Sequence, residues 1–361
     1  MNINKNLPVM VTGATGFVAG WIIKKLLENQ IVVHAAVRDP KDENKISHLK
    51  ELAKENNSII KFFKSDLLQD NSYKNAMDGC EIVFHTASPF TLGLKSHEYI
   101  EPALKGTRNV LNSVKSTPSV KKVILTSSVV AIIGNNIDCQ QSPNNTPNED
   151  TWNTTSTLDH EPYSYSKTLA EKEAWKINKN QNQWKLVVIN PSFVMGPSLS
   201  NHSTSATHQI IQDIASGKMK SGCPPFEIGM VDVEDVATAH FNAAFMDSSE
   251  GRNIISNKTV KFIEMSQILR NKFGENLPFP KKTIPKIMAV LLGPIFDKSF
   301  TRKSLWRNLS HPWKIDNSKS KLSLNIDYLP VEKSIEEAYQ QLIDNKTCLL
   351  YTSDAADDRG C

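Results

Sequence analysis

A glycine-rich turn close to the start of the chain restricts the fold more than any other feature. An apolar run at residues 8–12 leads directly into the turn TGATG at 12–16, and helical spacing follows at 17–27. A turn of this kind lets backbone N–H groups approach a pyrophosphate, and the helix directs its positive end at the same anion. Gly13 permits the tight turn, and Gly16 permits the close approach. The turn therefore predicts a dinucleotide-binding βαβ unit.

Apolar runs continue to alternate with helical patterns through the first half of the chain. The predicted strands are 8–12, 31–37, 59–63, 81–87, 121–128 and 185–190, and the clearest predicted helices are 17–27, 98–116 and 162–180. Strands that alternate with helices indicate a parallel sheet covered on both faces. The sequence thus predicts an α/β fold, a Rossmann-type doubly wound parallel sheet.

This regular alternation breaks down twice, which predicts a division of the chain. Residues 134–161 are rich in Asn, Ser, Thr and Pro, and a polar connection of this length inside a compact domain is typical of an active-site wall. In the second half the pattern loosens into shorter helices with scattered Pro and Gly. We predict an NADP-binding domain at 1–191, with segments returning near 231–257, and a smaller C-terminal substrate lobe at about 192–230 and 258–345.

Composition limits the classes of partner. The 361 residues include 42 Lys or Arg and 38 Asp or Glu, a balance of +4, and no nucleic-acid-binding motif, so we expect no nucleic-acid partner. The most apolar later stretch, 287–296, is much shorter than the roughly 20 residues of a membrane span. We interpret it as a buried helix of the small lobe, with contact to a membrane surface as the alternative. Since no apolar signal core precedes the first strand, we expect a cytoplasmic protein.

The cysteines and the end of the chain also bear on its chemistry. The five cysteines form no CxxC pair and no cluster with histidine, so we expect no metal site and a reducing compartment. Residues 348–361, CLLYTSDAADDRGC, resemble the translation of a sequencing adapter. We interpret this tail as an artefact and leave it out of the fold prediction.

The end of the second predicted strand bears on the choice between NADPH and NADH. The residue that closes this strand meets the adenosine ribose, where a base accommodates the 2′-phosphate of NADP and an acid favours NAD. Arg38 favours NADPH, and Lys45 is a candidate second cation, whereas Asp39 keeps NADH as the less favoured alternative. Asp66, after the third strand, is a candidate acceptor for the adenine amine or, alternatively, a helix cap.

Tyr163 and Lys167 form a YxxxK pair on a predicted helix. Positions i and i+4 share one helix face, and an ammonium beside a phenol lowers the pKa of the phenol from its usual value near 10. Tyr163 is therefore a candidate proton donor, and Lys167 a candidate to tune it and to hold the nicotinamide ribose. Ser128 closes the fifth strand at the edge where open α/β sheets bind ligands, so its hydroxyl is a candidate donor to a carbonyl oxygen.

Nine segments between residues 11 and 237 together resemble a known family. They are VTGATGFVAGW, AVRDP, SDL, DGCEIVFHTASP, LTSS, NEDTW, YSYSKTLAEKEAW, NPSFVMGP and VDVEDVA. The chain is similar to the extended short-chain dehydrogenases/reductases of the NAD-dependent epimerase/dehydratase superfamily, and within them to the dihydroflavonol 4-reductase-like aldehyde and ketone reductases. The resemblance implies the catalytic set Ser128, Tyr163 and Lys167. It implies that the cofactor contacts Gly13, Gly16, Phe17, Val18, Arg38, Lys45, Asp66, Leu67, Thr86, Ala87, Tyr163, Lys167, Pro191 and Ser192.

The reaction expected from these residues is NADPH-dependent reduction of an aldehyde or ketone to an alcohol. Ala103 stands where sugar-nucleotide epimerases carry Asn, and the apolar run 129–133 stands where plant flavonoid reductases carry a polar Asn. We therefore expect an aliphatic or aryl aldehyde, or a small ketone, in an apolar pocket. The alternatives are a 3β-hydroxysteroid dehydrogenase, a sugar-nucleotide epimerase/dehydratase and, outside enzymes, an NADP-sensing regulator. The sequence leaves the oligomeric state open between a monomer and a homodimer, and members of this superfamily often dimerise through helices that flank the sheet.

Overall fold

The computed structural model describes residues 3–88, 96–200, 206–297 and 300–345. The predicted artefact tail, 348–361, lies outside the described residues.

A seven-stranded parallel sheet forms the centre of the structure. The strands of the chain are β1 (Val9–Thr12), β2 (Val33–Val37), β3 (Ile60–Lys64), β4 (Ile82–His85), β5 (Lys122–Thr126), β6 (Lys185–Pro191), β7 (Phe193–Met195), β8 (Glu227–Asp232), β9 (Gly251–Ile255) and β10 (Lys258–Lys261). The large sheet has the order β3-β2-β1-β4-β5-β6-β9, and all its neighbouring strands are parallel. The strands extend in both directions from β1, so the prediction of a Rossmann-type doubly wound sheet is confirmed.

Helices cover both faces of this sheet. The helices are α1 (Phe17–Glu28), α2 (Glu43–Glu55), α3 (Lys74–Met77), α4 (Ser96–Lys115), α5 (Ile137–Gln141), α6 (Pro162–Lys179), α7 (Ala206–Ala215), α8 (Val233–Phe245), α9 (Phe262–Phe273), α10 (Lys286–Phe296), α11 (Arg302–Asn308), α12 (Ser318–Ser323) and α13 (Val331–Asp344). Successive strand residues point to opposite faces. Phe84 accordingly packs with α1 and α8, whereas Val83 packs with α3, α4 and α6. Burial on both faces explains why these strands are continuous apolar runs.

A smaller sheet lies outside the large one. Its order is β10-β8-β7, with β7 parallel and β10 antiparallel to β8. Apolar side chains of α7, α9 and α13 build a separate core against it, and Tyr339 at the centre of this core is 1% exposed. The chain returns to the large sheet at β9, which pairs with β6.

A carboxylate within the polar connection 134–161 ties its two ends together. Asp138 in α5 accepts hydrogen bonds from the backbone N–H groups of Gly134 (3.1 Å) and Asn135 (2.8 Å) and from the hydroxyl of Thr155 (2.5 Å). It also pairs with Arg307 of α11 at 2.8 Å. This ion pair therefore ties the connection to the C-terminal part of the chain.

Residues 287–296 form a helix, as predicted, but the prediction that this helix is buried is wrong. The stretch is helical, but in α10 only Ala289 and Val290 are buried, and six larger apolar side chains are exposed. The sequence pattern does not indicate which side of this helix packs against the protein, because nearly every position of the helix is apolar. Within the described residues, no helix has both the length and the apolarity to cross a membrane.

Candidate active site

The glycine-rich turn packs directly against the end of β4. The hydroxyl of Thr12 accepts hydrogen bonds from the N–H groups of Thr86 (3.0 Å) and Ala87 (2.9 Å), and the hydroxyl of Thr86 donates to the carbonyl of Thr12. Gly13 has φ +59, and a Cβ added there would lie 3.0 Å from Cα of Ala87. The structure thus brings together Gly13, Thr86 and Ala87, in a conformation that requires glycine.

The beginning of α1 has the properties of an anion site. Gly16 is the N-cap and has no side chain to cap the helix, and the first turn, which begins with Phe17 and Val18, carries no acidic residue. Partial positive charge at a helix N-terminus favours a phosphate there. Together with the narrow cradle at Gly13, this end of α1 fits the pyrophosphate of a dinucleotide.

The residues predicted to meet the adenosine lie exposed at the ends of β2 and β3. Arg38 is exposed, while Asp39 accepts the backbone N–H of Lys41 at 2.9 Å. Lys45 pairs with Asp42 at 3.0 Å, so part of its charge is already neutralised.

Asp66 and Leu67 follow β3 and form a turn. One carboxylate oxygen of Asp66 accepts the N–H of Leu68 at 2.8 Å within this turn. The alternative prediction of a helix cap is wrong, because the next helix, α3, begins only at Lys74. Leu67 packs against Gly106 of α4, where an added Cβ would lie 2.5 Å from its Cγ. Both residues are therefore placed by contacts within the protein.

Ser128 lies between the ends of β5 and β6. Its hydroxyl lies 3.5 Å from the carbonyl of Pro191 and accepts the N–H of Val130 at 3.3 Å. Its carbonyl accepts a hydrogen bond from Asn190 at 3.1 Å. The hydroxyl of Ser192 is buried and has no hydrogen-bond partner among the described residues. The structure therefore brings Ser128, Pro191 and Ser192 together and leaves the buried donor of Ser192 available to a ligand.

Lys167 projects from α6 toward the same edge of the sheet. It is 8% exposed, and its ammonium lies 3.4 Å from both the hydroxyl of Ser88 and the carbonyl of Thr126. Burial lowers the pKa of Lys167 to about 8, and the carboxylate of Glu171 acts in the opposite direction. Lys167 thus connects the end of β5 with the segment that follows Ala87.

Tyr163 lies one helical turn before Lys167 and packs edge-on against Tyr99, with the ring centroids 6.2 Å apart. Burial raises the pKa of the Tyr163 phenol, and Tyr99 raises it further. The expectation of a lowered pKa at Tyr163 is therefore wrong, because burial disfavours the charged phenolate.

The apolar run that follows Ser128 does not support the predicted apolar pocket. Val129, Ile132 and Ile133 are buried in a core cluster with Cys139, Ile254 and Trp313. Their apolar character is explained by packing, so it carries no information on the substrate.

Sequence reasoning missed Glu171, a buried carboxylate of α6 that several elements hydrogen-bond. Its buried carboxylate accepts hydrogen bonds from Ser127 (2.5 Å), Asn190 (2.8 Å) and Arg252 (2.6 Å). Glu171 follows Lys167 by four residues, as Lys167 follows Tyr163. Continuation of this spacing along one helix face is the signal that could have pointed to it.

Arg252 of β9 completes this buried network. Its guanidinium lies over the ring of Trp152 at 3.9 Å and donates to the carbonyls of Thr151 (2.5 Å) and Ala131 (3.2 Å). The Glu171–Arg252 pair therefore joins α6, β9 and the polar connection 134–161. Nothing in the local sequence of Arg252 indicated this contact.

A family model matches residues 10–264, which include the glycine-rich turn, the end of β5 and the YxxxK helix. The chain belongs to the 3-beta hydroxysteroid dehydrogenase/isomerase family. The predicted membership of the extended short-chain dehydrogenases/reductases is confirmed, and with it the prediction of an oxidoreductase at the level of the family.

Curated relatives and solved structures show which known proteins the chain is similar to in sequence and fold. A cinnamoyl-CoA reductase from Medicago truncatula is 36% identical over 348 residues, which cover 94% of this chain and 96% of the relative. A tetraketide alpha-pyrone reductase from Arabidopsis thaliana is 38% identical over 282 residues, 76% of this chain and 84% of the relative. The crystal structure of Gre2 from Candida albicans in complex with NADPH has a TM-score of 0.74 and 27% identity, and covers 94% of this chain and 99% of that one. The similarity to reductases of the dihydroflavonol 4-reductase kind is thereby confirmed.

Proposed function

We propose that this protein is an NADPH-dependent carbonyl reductase that converts an aldehyde or ketone to the alcohol. One observation carries the proposal: the ammonium of Lys167, one helical turn after Tyr163, lies 3.4 Å from the carbonyl of Thr126 at the end of β5, close in the chain to Ser128. The reductases named among its relatives support the same reaction class. NADPH, when bound, would supply the hydride.

The proposed roles follow from the hydrogen-bonding capacity of each side chain. Ser128 donates to the carbonyl oxygen of the substrate and stabilises the negative charge that develops on it. Tyr163 then transfers its phenolic proton to this oxygen. A raised pKa keeps Tyr163 protonated at neutral pH, so it is ready to donate in the direction of reduction. Lys167 holds the nicotinamide ribose and keeps a positive charge beside the site.

The remaining predicted residues would bind the cofactor. Gly13, Gly16, Phe17 and Val18 would face the pyrophosphate, and Arg38 would meet the 2′-phosphate of NADPH, with Lys45 as a weaker second cation because of its pairing with Asp42. The Gre2 structure in complex with NADPH supports the choice of NADPH over NADH. Pro191 and Ser192 would border the nicotinamide.

The test is a comparison of cofactors and substrates on the purified protein. Oxidation of NADPH and of NADH is followed by absorbance with aliphatic and aryl aldehydes, ketones, a cinnamoyl-CoA thioester and a flavonoid. The reverse direction is followed with a 3β-hydroxysteroid and either oxidised cofactor. Faster oxidation of NADPH with an aldehyde or ketone is expected. If the protein turns over the hydroxysteroid and none of the carbonyl compounds, the proposal is wrong and the activity is that of a hydroxysteroid dehydrogenase.

A further inference from the structure

Among the described residues, the exposed face of α10 gathers six large apolar side chains that the proposed reaction does not use. Its apolar side chains recur at one-helix-face spacing, and their exposed fractions range from 40% at Leu292 to 85% at Phe296. This apolar stripe consists of Ile287, Met288, Leu291, Leu292, Ile295 and Phe296. An exposed contiguous apolar patch of this kind marks an interaction surface.

The opposite face of α10 is already packed. Ala289 and Val290 form a core cluster with Leu305 and Leu309. A Cβ added at Gly293 would lie 2.6 Å from Leu305, so α10 and α11 are in close contact there. The apolar stripe is therefore held outward by a fixed helix.

The segments that carry and flank the stripe are rich in positive charge. Residues 281–297 and 300–307 contain six Lys or Arg and one Asp, a balance of +5, whereas the whole chain of 361 residues has +4. Without the artefact tail 348–361, which contains one Arg and three Asp, the chain outside these two segments carries only +1. Two of the six cations are paired, Arg307 with Asp138 and Lys281 with Glu275. Among the described residues, Lys282, Arg302 and Lys303 form no ion pair, and all three are exposed.

Aromatic side chains continue the apolar surface beside the cations. Trp306 of α11 is 54% exposed, and the ammonium of Lys286 lies over its ring at 4.5 Å. An amphipathic surface with Lys and Arg at its border and with Trp, Phe and Leu at its centre is typical of helices that lie in a membrane interface. At 11 residues, α10 spans only about 16 Å, which suits insertion along the surface.

From this arrangement we infer that the α10–α11 region docks the protein on a membrane surface that contains anionic lipids. The apolar stripe enters the boundary between headgroups and acyl chains, and the unpaired cations contact the headgroups. A second copy of the chain is disfavoured as the occupant. A symmetric dimer would place the same patch of each copy face to face and bring two positively charged borders together.

Vesicle binding of the full chain tests the inference. The protein is centrifuged with vesicles of phosphatidylcholine alone, with vesicles that also contain phosphatidylserine, and without vesicles as the control for aggregation. We expect binding to the anionic vesicles that falls as salt concentration rises, because each cation near such a surface is worth about 1 kcal/mol, or roughly fivefold in the partition coefficient. Equal binding to both vesicles with no salt dependence, or no binding at all, would refute the inference.

Two variants and a matched control assign the binding to this face. Ile295→Ser with Phe296→Ser is expected to weaken binding to anionic vesicles at least about tenfold, and Lys282→Glu with Lys303→Glu about as much. Leu322→Ser removes a side chain in α12 that is 84% exposed, and it should leave binding unchanged. Circular dichroism and NADPH oxidation verify that each variant is folded. A wild-type dimer that becomes a monomer in the Ile295 and Phe296 variant, without vesicle binding, would assign the face to a second copy and overturn the inference.

Discussion

The edge of the large sheet and the α10–α11 region depart from the usual distribution of side chains in opposite directions. At the sheet edge, charged groups are buried, with Glu171 at 1% and Arg252 at 6% exposure. In α10, large apolar groups are exposed. Charged residues are rarely buried unless paired, and exposed apolar patches are rare without a function. Each departure costs folding free energy. Both regions therefore keep side chains that serve a task other than stability.

The sharpest test of the first region is Tyr163→Phe. If the buried polar groups at the sheet edge perform the chemistry, kcat should fall about 10²- to 10⁴-fold, because the proton donor is lost. NADPH binding, measured by quenching of protein fluorescence, should be retained. Tyr165→Phe on the same helix is the control, since Tyr165 lies on another face. Equal turnover in the two variants would remove Tyr163 from the mechanism.

Arg252→Met tests whether the buried Glu171–Arg252 ion pair contributes more to stability than an exposed ion pair does. The change leaves the Glu171 carboxylate buried without its cation, so we expect a loss of about 3–5 kcal/mol in the free energy of unfolding. Lys258→Met breaks the exposed Lys258–Glu332 pair, whose atoms are 2.7 Å apart, and should cost less than about 1 kcal/mol. Urea denaturation measures both. Similar losses would mean that burial adds nothing to the role of this pair.

Arg38→Ala tests an exposed charge at the same edge. Loss of charge-assisted hydrogen bonds to a 2′-phosphate is worth about 1.5–3 kcal/mol, so the KM for NADPH should rise by roughly tenfold or more. The KM for NADH should be unchanged. Lys45→Ala is expected to have a smaller effect, because Asp42 already pairs with Lys45. A parallel rise for both cofactors would contradict the assignment of Arg38 to the 2′-phosphate.

The alkaline limb of the pH profile tests the coupling of Lys167 to Glu171. Because the pKa of Lys167 is about 8, kcat/KM should decrease above about pH 8 as the ammonium loses its proton and its attraction for the anionic cofactor. The Glu171 carboxylate raises this pKa, so Glu171→Gln should move the limb to lower pH. Ser127→Ala keeps the carboxylate and should leave the limb in place. An unmoved limb in Glu171→Gln would reduce Glu171 to a purely structural residue.

The smallest change in stability is expected for substitutions in the apolar stripe of α10. Ile295→Ser with Phe296→Ser should change the free energy of unfolding by no more than about 0.5–1 kcal/mol, because both side chains are already exposed to water. Turnover of a water-soluble aldehyde should be unchanged. A large loss of stability on thermal denaturation would show that the stripe is packed within the protein and would end the contrast between the two regions.

Much of the site could be predicted because its parts are local in sequence. Gly13 and Gly16 stand between a strand and a helix, Ser128 closes a strand, and Tyr163 and Lys167 share a helix face. Parallel strands bring their carboxyl ends to one edge, so these separate motifs predict one site. The pairing of Glu171 with Arg252 could not be predicted in this way, because 81 residues separate the two side chains.

The sequence by itself determined the fold class, the position of the glycine-rich turn and the family, since apolar periodicity and short motifs encode them. The tertiary structure alone decided which of these groups are buried. Desolvation raises the pKa of Tyr163 instead of lowering it, packing places the apolar run 129–133 in the core, and no described element covers the apolar face of α10. Burial depends on which distant segments pack against a residue, and the local pattern carries no record of them.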